Sequence, residues 1–288
     1  MILKAMAKIN LGLDVIRRRE DGYHDLRMIM QSIYLYDQIE MEKTQEPGIH
    51  FCTNRSYLPT DNSNLAVKAA KLLMDEFQIR EGVKIDLAKN IPVAAGLAGG
   101  STDAAAVLVG LNQMFDLRIS EKELMRRGAS IGADIPYCIM RGTALAEGIG
   151  DKLTRLDAMP MCHILIARPG VSVSTRFVYS NLHLEEVDHH PDIDGMIEAI
   201  GRGSLSGITD RLENVLESVT INKYPIIRQL KEKMISCGAM GALMSGSGPT
   251  VFGIFKDKQE AAFAADQIRK EKLARNVFVT RPFQINRK

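Results

Sequence analysis

Residues 90–106 read NIPVAAGLAGGSTDAAA. Alanine is the best helix former and glycine among the poorest, so the stretch sets opposed propensities side by side. Ile85, Leu87 and Ile91 read as the end of a strand that Pro92 stops. Gly96, Gly99 and Gly100 allow dihedrals that a Cβ resists. Ser101 suits an N-cap, and Ala104 to Leu108 propagate a helix to about Met114. The loop therefore brings free N–H groups to the positive end of a helix dipole, a ready site for phosphate. Tight packing of a helix uses glycines in the same way, and on composition the two uses weigh equally. The stretch is not a Walker A loop, since no Lys-Ser or Lys-Thr follows the last glycine, and it is not a GxGxxG fingerprint.

The rest of the chain sets the frame for that loop. With 37 basic and 35 acidic residues in 288, the charge balance supports neither a nucleic-acid nor an anionic-membrane partner. Cys52, Cys138, Cys162 and Cys237 lie too far apart for a CxxC pair, so buried thiols in a reducing cytoplasm are expected rather than a disulfide framework or a zinc site. The opening MILKAMAKINLGLDV is too broken by Lys and Asn for a signal peptide, and no apolar run reaches membrane-span length. A soluble cytoplasmic protein is expected.

AKINLGLDVI and LRMIMQSIYLYDQIEMEK read as strands around a turn at Asp21-Gly22. DNSNLAVKAAKLLMDEFQI has a helical apolar face, and SEKELMRRGASI opens with a capping box of Ser120 and Glu123. TALAEGIGDKLTRL reads strand, glycine turn, strand, and HILIARPG starts something new. Helices are expected at STRFVYSNL, PDIDGMIEAI, SLSGITDRLENVLESV, from Pro225 to Gly238, and from about Gln259. GALMSGSGPTVFGIF reads as a hairpin and NVFVTRPF as a last strand. Strands and helices mix without strict βαβ alternation, which predicts α+β in two domains, 1–155 and 156–288.

PVAAGLAGGSTDAA closely resembles the second motif of the GHMP kinases, the family of galactokinase, homoserine kinase and mevalonate kinase. AMAKINLGLDVIRRREDGYHDL resembles the first motif and LMSGSGPTVFG the third, in the family's order. The resemblance implies an N-terminal ribosomal-S5-domain-2-like domain, a C-terminal ferredoxin-like domain, and a site in the cleft between them. It implies ATP and Mg²⁺ as cofactors. The loop residues Pro92, Val93, Ala94, Ala95, Gly96, Leu97, Ala98, Gly99, Gly100, Ser101 and Thr102 would wrap the phosphates, with Asn64 and Lys89 at the nucleoside. The first motif, GADIPYC and RPGVSVST are similar to the branch whose acceptor is a cytidine-diphosphate-linked methylerythritol.

Phosphoryl transfer needs positioning, cations for the equatorial charge, and a partner for the hydroxyl proton. In the family's positions, Lys8 would supply the charge and Asp134 would take or orient the proton. By residue type alone, Asp134 reads first as a turn former and Lys8 as a solvated surface charge, and the resemblance reverses that. Asn10 would bond the acceptor's hydroxyls; Tyr23, His24 and Tyr179 would hold its base, with Phe177 second to Tyr179 and Thr175 as a neighbouring contact. The metal ligands are left open, with Ser101 the one side chain suggested, and oligomeric state is also open. Asp103 is the awkward residue: a carboxylate beside a triphosphate repels it unless it turns away or metal intervenes, and compensation of the helix dipole in the first turn is its favoured role. His189-His190 reads as an exposed loop rather than a metal site. Rival readings are a homoserine or sugar kinase of the same family, a nucleotide-binding sensor without catalysis, and an RNA-binding module resting on Arg17 to Arg19 alone.

Overall fold

Two long strands supply the frame: β1, Ile2–Arg18, and β2, His24–Thr44. They join through the expected turn, where Gly22 takes φ +84°. Arg17 and Arg19 both reach Asp25, so the arginine run clamps its own hairpin. Residues 1–285 are described in this computed structural model; the last three residues of the second expected domain lie outside them. Those residues form two compact units. One holds Met1–Ala7, Leu35–Val93 and Ala98–Arg141, and the other Lys8–Tyr34, Ala94–Leu97 and the described residues from 142 to 285. Both long strands therefore contribute to each unit.

In the first unit, β3 (Ile49–Thr53) pairs parallel with β4 (Gly82–Ala88), which pairs antiparallel with the end of β2. The sequence reading has no β3, although IHFCT alternates; its short edge strand leaves Cys52 exposed, not buried as expected. Helix α1, Leu65–Glu76, packs on α2, Gly99–Met114, and both bury small side chains, among them Ala66, Ala69, Ala104 and Ala105. Helix α3, Glu121–Ala129, starts at Ser120, whose hydroxyl accepts the Glu123 N–H as a cap should. The reciprocal half of the capping box does not form, because the Glu123 carboxylate turns to Arg126 and Arg127. A short α4, Ile135–Met140, follows with Pro136 in its first turn.

In the second unit, β5 (Thr143–Gly148) pairs with β2 and with β6 (Lys152–Arg155). Strand β7, His163–Arg168, is followed by α5 (Thr175–Ser180), α6 (Ile193–Gly201) and α7 (Leu205–Thr209). Where one helix is expected over residues 204–219, the chain instead breaks into α7, a two-residue strand β8 (Glu213–Asn214) and α8 (Glu217–Lys223). The break has a partner: β8 pairs parallel with β1 at Gly12 and Leu13, and strand pairing there overrides helix propensity. The unit ends with α9 (Ile226–Ser236), β9 (Gly241–Met244), β10 (Val251–Phe255), α10 (Lys258–Lys270) and β11 (Asn276–Thr280).

Strands β11-β7-β10-β9 form an antiparallel sheet on which α9 and α10 pack. Taken as four strands the order is 4-1-3-2, the split βαβ arrangement expected of a ferredoxin-like half. The fold is α+β throughout. No helix among the described residues is long and apolar enough to cross a membrane. Leu73 in α1 is fully buried. Leu73→Ala should lower stability by about 2–5 kcal/mol, read from chemical denaturation; a change below the lower figure would mean that the α1–α2 layer collapses onto the gap.

Candidate active site

In the first unit the strand before the glycine loop ends at Ala88, short of the expected Pro92. The reason is a side chain the sequence reading passed over. Asp37, fully buried on β2, accepts the Asn90 and Ile91 backbone N–H groups on one carboxylate oxygen and the Lys89 ammonium on the other. The Lys89 N–H itself goes to the Asn54 side chain at 2.8 Å. Backbone donors that would extend the ladder are thus taken by side chains.

Helix α2 begins at Gly99, two residues before Ser101, so Ser101 is not its N-cap. Ala98 holds that position in the left-handed region, φ +56°, and no side chain caps the helix. Ala94 is also left-handed, at φ +51°. Such a conformation costs an L-residue about 1–2 kcal/mol. The first N–H groups of a helix have no intrahelical acceptor, so Gly99, Gly100 and Ser101 present amides that no side chain covers. Gly100 is exposed, and a Cβ there would meet only Leu65, at 3.5 Å. Thr102 is buried and its N–H closes the first turn on the Ala98 carbonyl at 2.9 Å.

Asp103 turns away from that end. Its carboxylate bonds Lys89, forming a buried cluster of one ammonium and two carboxylates, Asp37 and Asp103. A Cβ at Gly99 would sit 3.0 Å from the Lys89 Nζ, so the ammonium lies directly under the first residue of α2. Burial pushes the Asp103 carboxyl well above the usual carboxylate range; Lys89 opposes the rise and Asp37 adds to it. The second oxygen of Asp103 is buried without a hydrogen-bond partner. Lys89 is therefore a buried tie, with its ammonium held by two carboxylates. Asn64 caps α1: its carbonyl oxygen accepts the Ala66 N–H and its amide donates to the Pro59 carbonyl. Asp134 occupies the N-cap position of α4 but makes no side-chain cap bond, which leaves its half-buried carboxylate uncommitted to the helix.

In the second unit, Lys8 and Asn10 share one face of β1, as alternation requires. Lys8 is 5% exposed and its ammonium donates to the Asn10 carbonyl oxygen at 2.7 Å. The Lys8 N–H bonds the Leu97 carbonyl at 3.2 Å. Gly96, φ +74°, lies against the third-motif turn: the Ser245 hydroxyl donates to its carbonyl at 2.9 Å, and a Cβ there would collide with the Ser245 carbonyl. Ala95 and Leu97 are buried, while Pro92 and Val93 of the other unit are half-buried. On the β1–β2 hairpin, Tyr23 is 63% exposed. The His24 and Tyr179 rings pack at 5.0 Å between centroids, tilted by 34°. Burial, with Arg18 nearby, lowers the His24 pKa and keeps the ring neutral near pH 7. Thr175 and Ser247 share a hydroxyl hydrogen bond of 2.8 Å, whereas Phe177 lies under the Lys223 ammonium. His190 is not merely an exposed loop residue, since its Nδ1 is 2.8 Å from the buried Asp14 carboxylate.

A sequence profile for the GHMP kinases N terminal domain matches residues 64–142. One for GHMP kinases C terminal matches residues 189–274. A 4-diphosphocytidyl-2-C-methyl-D-erythritol kinase of Lachnospira eligens is 55% identical over 281 residues, covering 98% of both chains. One of Clostridium perfringens is 48% identical over 286 residues, 99% of both. A crystal structure of a 4-(cytidine 5'-diphospho)-2C-methyl-D-erythritol kinase matches with TM-score 0.86 at 32% identity, covering 99% of this chain and 100% of that one. A homoserine kinase from Cytophaga hutchinsonii matches with TM-score 0.72 at 17% identity, over 95% and 92% of the two chains, a likeness of fold alone.

The buried cluster has a pH signature. With its pKa raised by folding, Asp103 keeps a proton in the folded chain over a range where the unfolded chain, titrating at about 3.9, has lost it. Stability then falls as pH rises through that range, with a slope of up to about 1.4 kcal/mol per pH unit. Asp103→Asn removes the titration, so its thermal midpoint relative to the parent chain should climb between pH 4 and pH 8. Parallel pH profiles for the two proteins would contradict this.

Proposed function

The chain belongs to the GHMP kinase family, and on that premise we propose that it transfers the γ-phosphate of ATP to the C2 hydroxyl of 4-diphosphocytidyl-2-C-methyl-D-erythritol, a step of non-mevalonate isoprenoid precursor synthesis. The observation that carries the acceptor is the hairpin after β1. An exposed Tyr23, with a neutral His24 packed on Tyr179, offers flat faces and polar edges to a pyrimidine. A homoserine or a simple sugar has no base to use them. The full-length identity of 55% to an enzyme named for this acceptor supports the same choice.

The uncovered amides of Gly99, Gly100 and Ser101 fit an anionic phosphate at the start of α2, where the dipole favours it. Mg²⁺ bound with the nucleotide would supply charge neutralisation of the phosphates, with Ser101 the one side chain suggested to face it and the other ligands left open. In the transfer, the acceptor's C2 oxygen forms the new bond to the γ-phosphorus. The bond from that phosphorus to the ADP oxygen breaks, and the hydroxyl proton passes to the Asp134 carboxylate. Lys8, kept from solvent and oriented by Asn10, would stabilise charge on the transferred group. The Asn10 amide nitrogen donates to the Met28 sulfur at 3.3 Å, and on the family's pattern Asn10 would bond the acceptor's hydroxyls. A tertiary alcohol is a crowded nucleophile, so placement dominates over basicity. Residues 1–155 are assigned to the nucleotide, and Thr175 and Tyr179 to the acceptor.

An ADP-release assay over a panel of acceptors tests the reading. Turnover is expected with the cytidine-diphosphate-linked methylerythritol and absent with homoserine, mevalonate and galactose; the reverse pattern would overturn it. In the same assay Asp134→Asn should lower kcat by about 10²–10⁴-fold with ATP affinity retained. Tyr23→Ala should raise the acceptor KM by the loss of about 1–3 kcal/mol of stacking, with little change in the KM for ATP. Normal turnover by the Asp134 variant would remove that residue from its role.

A further inference from the structure

Asn214 lies in a stretch that reads as helix, yet it is 4% exposed and ends a strand only two residues long. The Val215 N–H bonds the Leu13 carbonyl at 3.0 Å, next to the parallel pairing of Leu13 with Asn214, so this point of the chain is fixed to β1. The Asn214 side chain makes three hydrogen bonds. Its amide nitrogen donates to the Met244 and Gly246 carbonyls, both at 2.9 Å, and its oxygen accepts the Leu216 N–H at 3.0 Å. Both donors are thus spent on the backbone at either side of Ser245, where β9 gives way to the third-motif turn.

That turn in turn lies against Lys8. Gly246 is left-handed, φ +57°, and a Cβ on it would stand 3.5 Å from the Lys8 Nζ and 3.6 Å from the Asn10 side-chain oxygen. The rest of the turn is held by the Ser245 N–H to Thr250 carbonyl bond, the Gly248 N–H to Ser245 carbonyl bond, Ser245 on Gly96, and Thr175 and Thr220 on Ser247. The Gly246 peptide is anchored from below by Asn214 alone among the side-chain bonds of the described residues. Lys8 and Asn214 consequently meet through one peptide, with β1 carrying the lysine and β8, paired to β1, carrying the anchor.

We propose that Asn214 is a positioning residue for phosphoryl transfer: by holding the Met244 and Gly246 carbonyls against the end of β8 it fixes the third-motif turn beside Lys8 and Asn10. The inference rests on the reading of Lys8 as the residue that stabilises the transferred group. Leucine or alanine at this place would leave two buried carbonyls without donors. Aspartate would keep the shape and the Leu216 bond but turn both donors into acceptors. Serine removes the reach while adding no charge.

The test is steady-state kinetics by ADP release, with thermal midpoints, for Asn214→Asp and Asn214→Ser, each alone and with Lys8→Met. The serine variant is included because a buried carboxylate can unfold the chain. The expected result is a fall in kcat of about tenfold or more at temperatures where each protein is folded, with the acceptor KM within about threefold of the parent. In the Lys8→Met background the same change should lower the residual rate by less than about twofold, since the two residues act as one unit. An unchanged kcat with a lowered midpoint would overturn the proposal and leave Asn214 structural. Equal losses with and without Lys8 would overturn it too. A parent chain that releases no ADP with the cytidine-diphosphate-linked acceptor would remove the functional reading, and the positioning role with it.

Discussion

The start of α2 is the constraint on which the rest depends. Six other helices are closed by a side chain: Asn64, Ser120, Ser174, Asp192, Ser204 and Asp257 each accept an N–H of the first turn. At α2 the cap position is a left-handed alanine with nothing to offer. An uncapped first turn is stable where water or an anion takes its amides. Bare glycines then matter for what they omit: Gly100 is exposed and carries no side chain to cover the first amides. The strain at Ala94 and Ala98 fits the same picture, since sparsely populated backbone persists where the surroundings hold it in place.

What holds that turn in place is ionic and dry. Lys89 joins Asp37 on β2 to Asp103 inside the first turns of α2, and Asp37 also takes two backbone N–H groups on the approach to the loop. Such a cluster adds little net stability compared with apolar packing, but removing one partner leaves charge stranded, a loss of about 3–5 kcal/mol. Its effect is therefore on geometry more than on stability. It also answers the electrostatic difficulty of a carboxylate one turn into a helix proposed to hold phosphate. Asp103 turns inward, where its carboxyl lies against the Lys89 ammonium.

Much of this was legible in the residues and some was not. Local chemistry reads well: Asn64 and Ser120 cap the helices they precede, Asp21-Gly22 makes its turn, and the three motifs identify a family whose two halves both appear in the fold. Long-range chemistry reads poorly. Asp37 looks like one more polar residue on an alternating strand, and only its burial and its partners, more than fifty residues away, reveal it. Lys89 looks like a contact to nucleoside until its ammonium is seen between two carboxylates. Asn214 sits in a sequence with good helix formers on either side, and pairing with β1 decides its state. In each case the missing information is which side chain a distant strand brings near, which no spacing along the chain encodes.

The central claim is that uncovered amides at the start of α2 grip the phosphates of ATP. Isothermal titration of Mg²⁺ with a non-hydrolysable ATP analogue, into the parent chain and into Gly100→Val, measures it most directly. Saturable 1:1 binding to the parent, lost in a variant whose thermal midpoint stays close to the parent's, is the expected result. Equal affinity in both, or no binding to the parent chain, would contradict it.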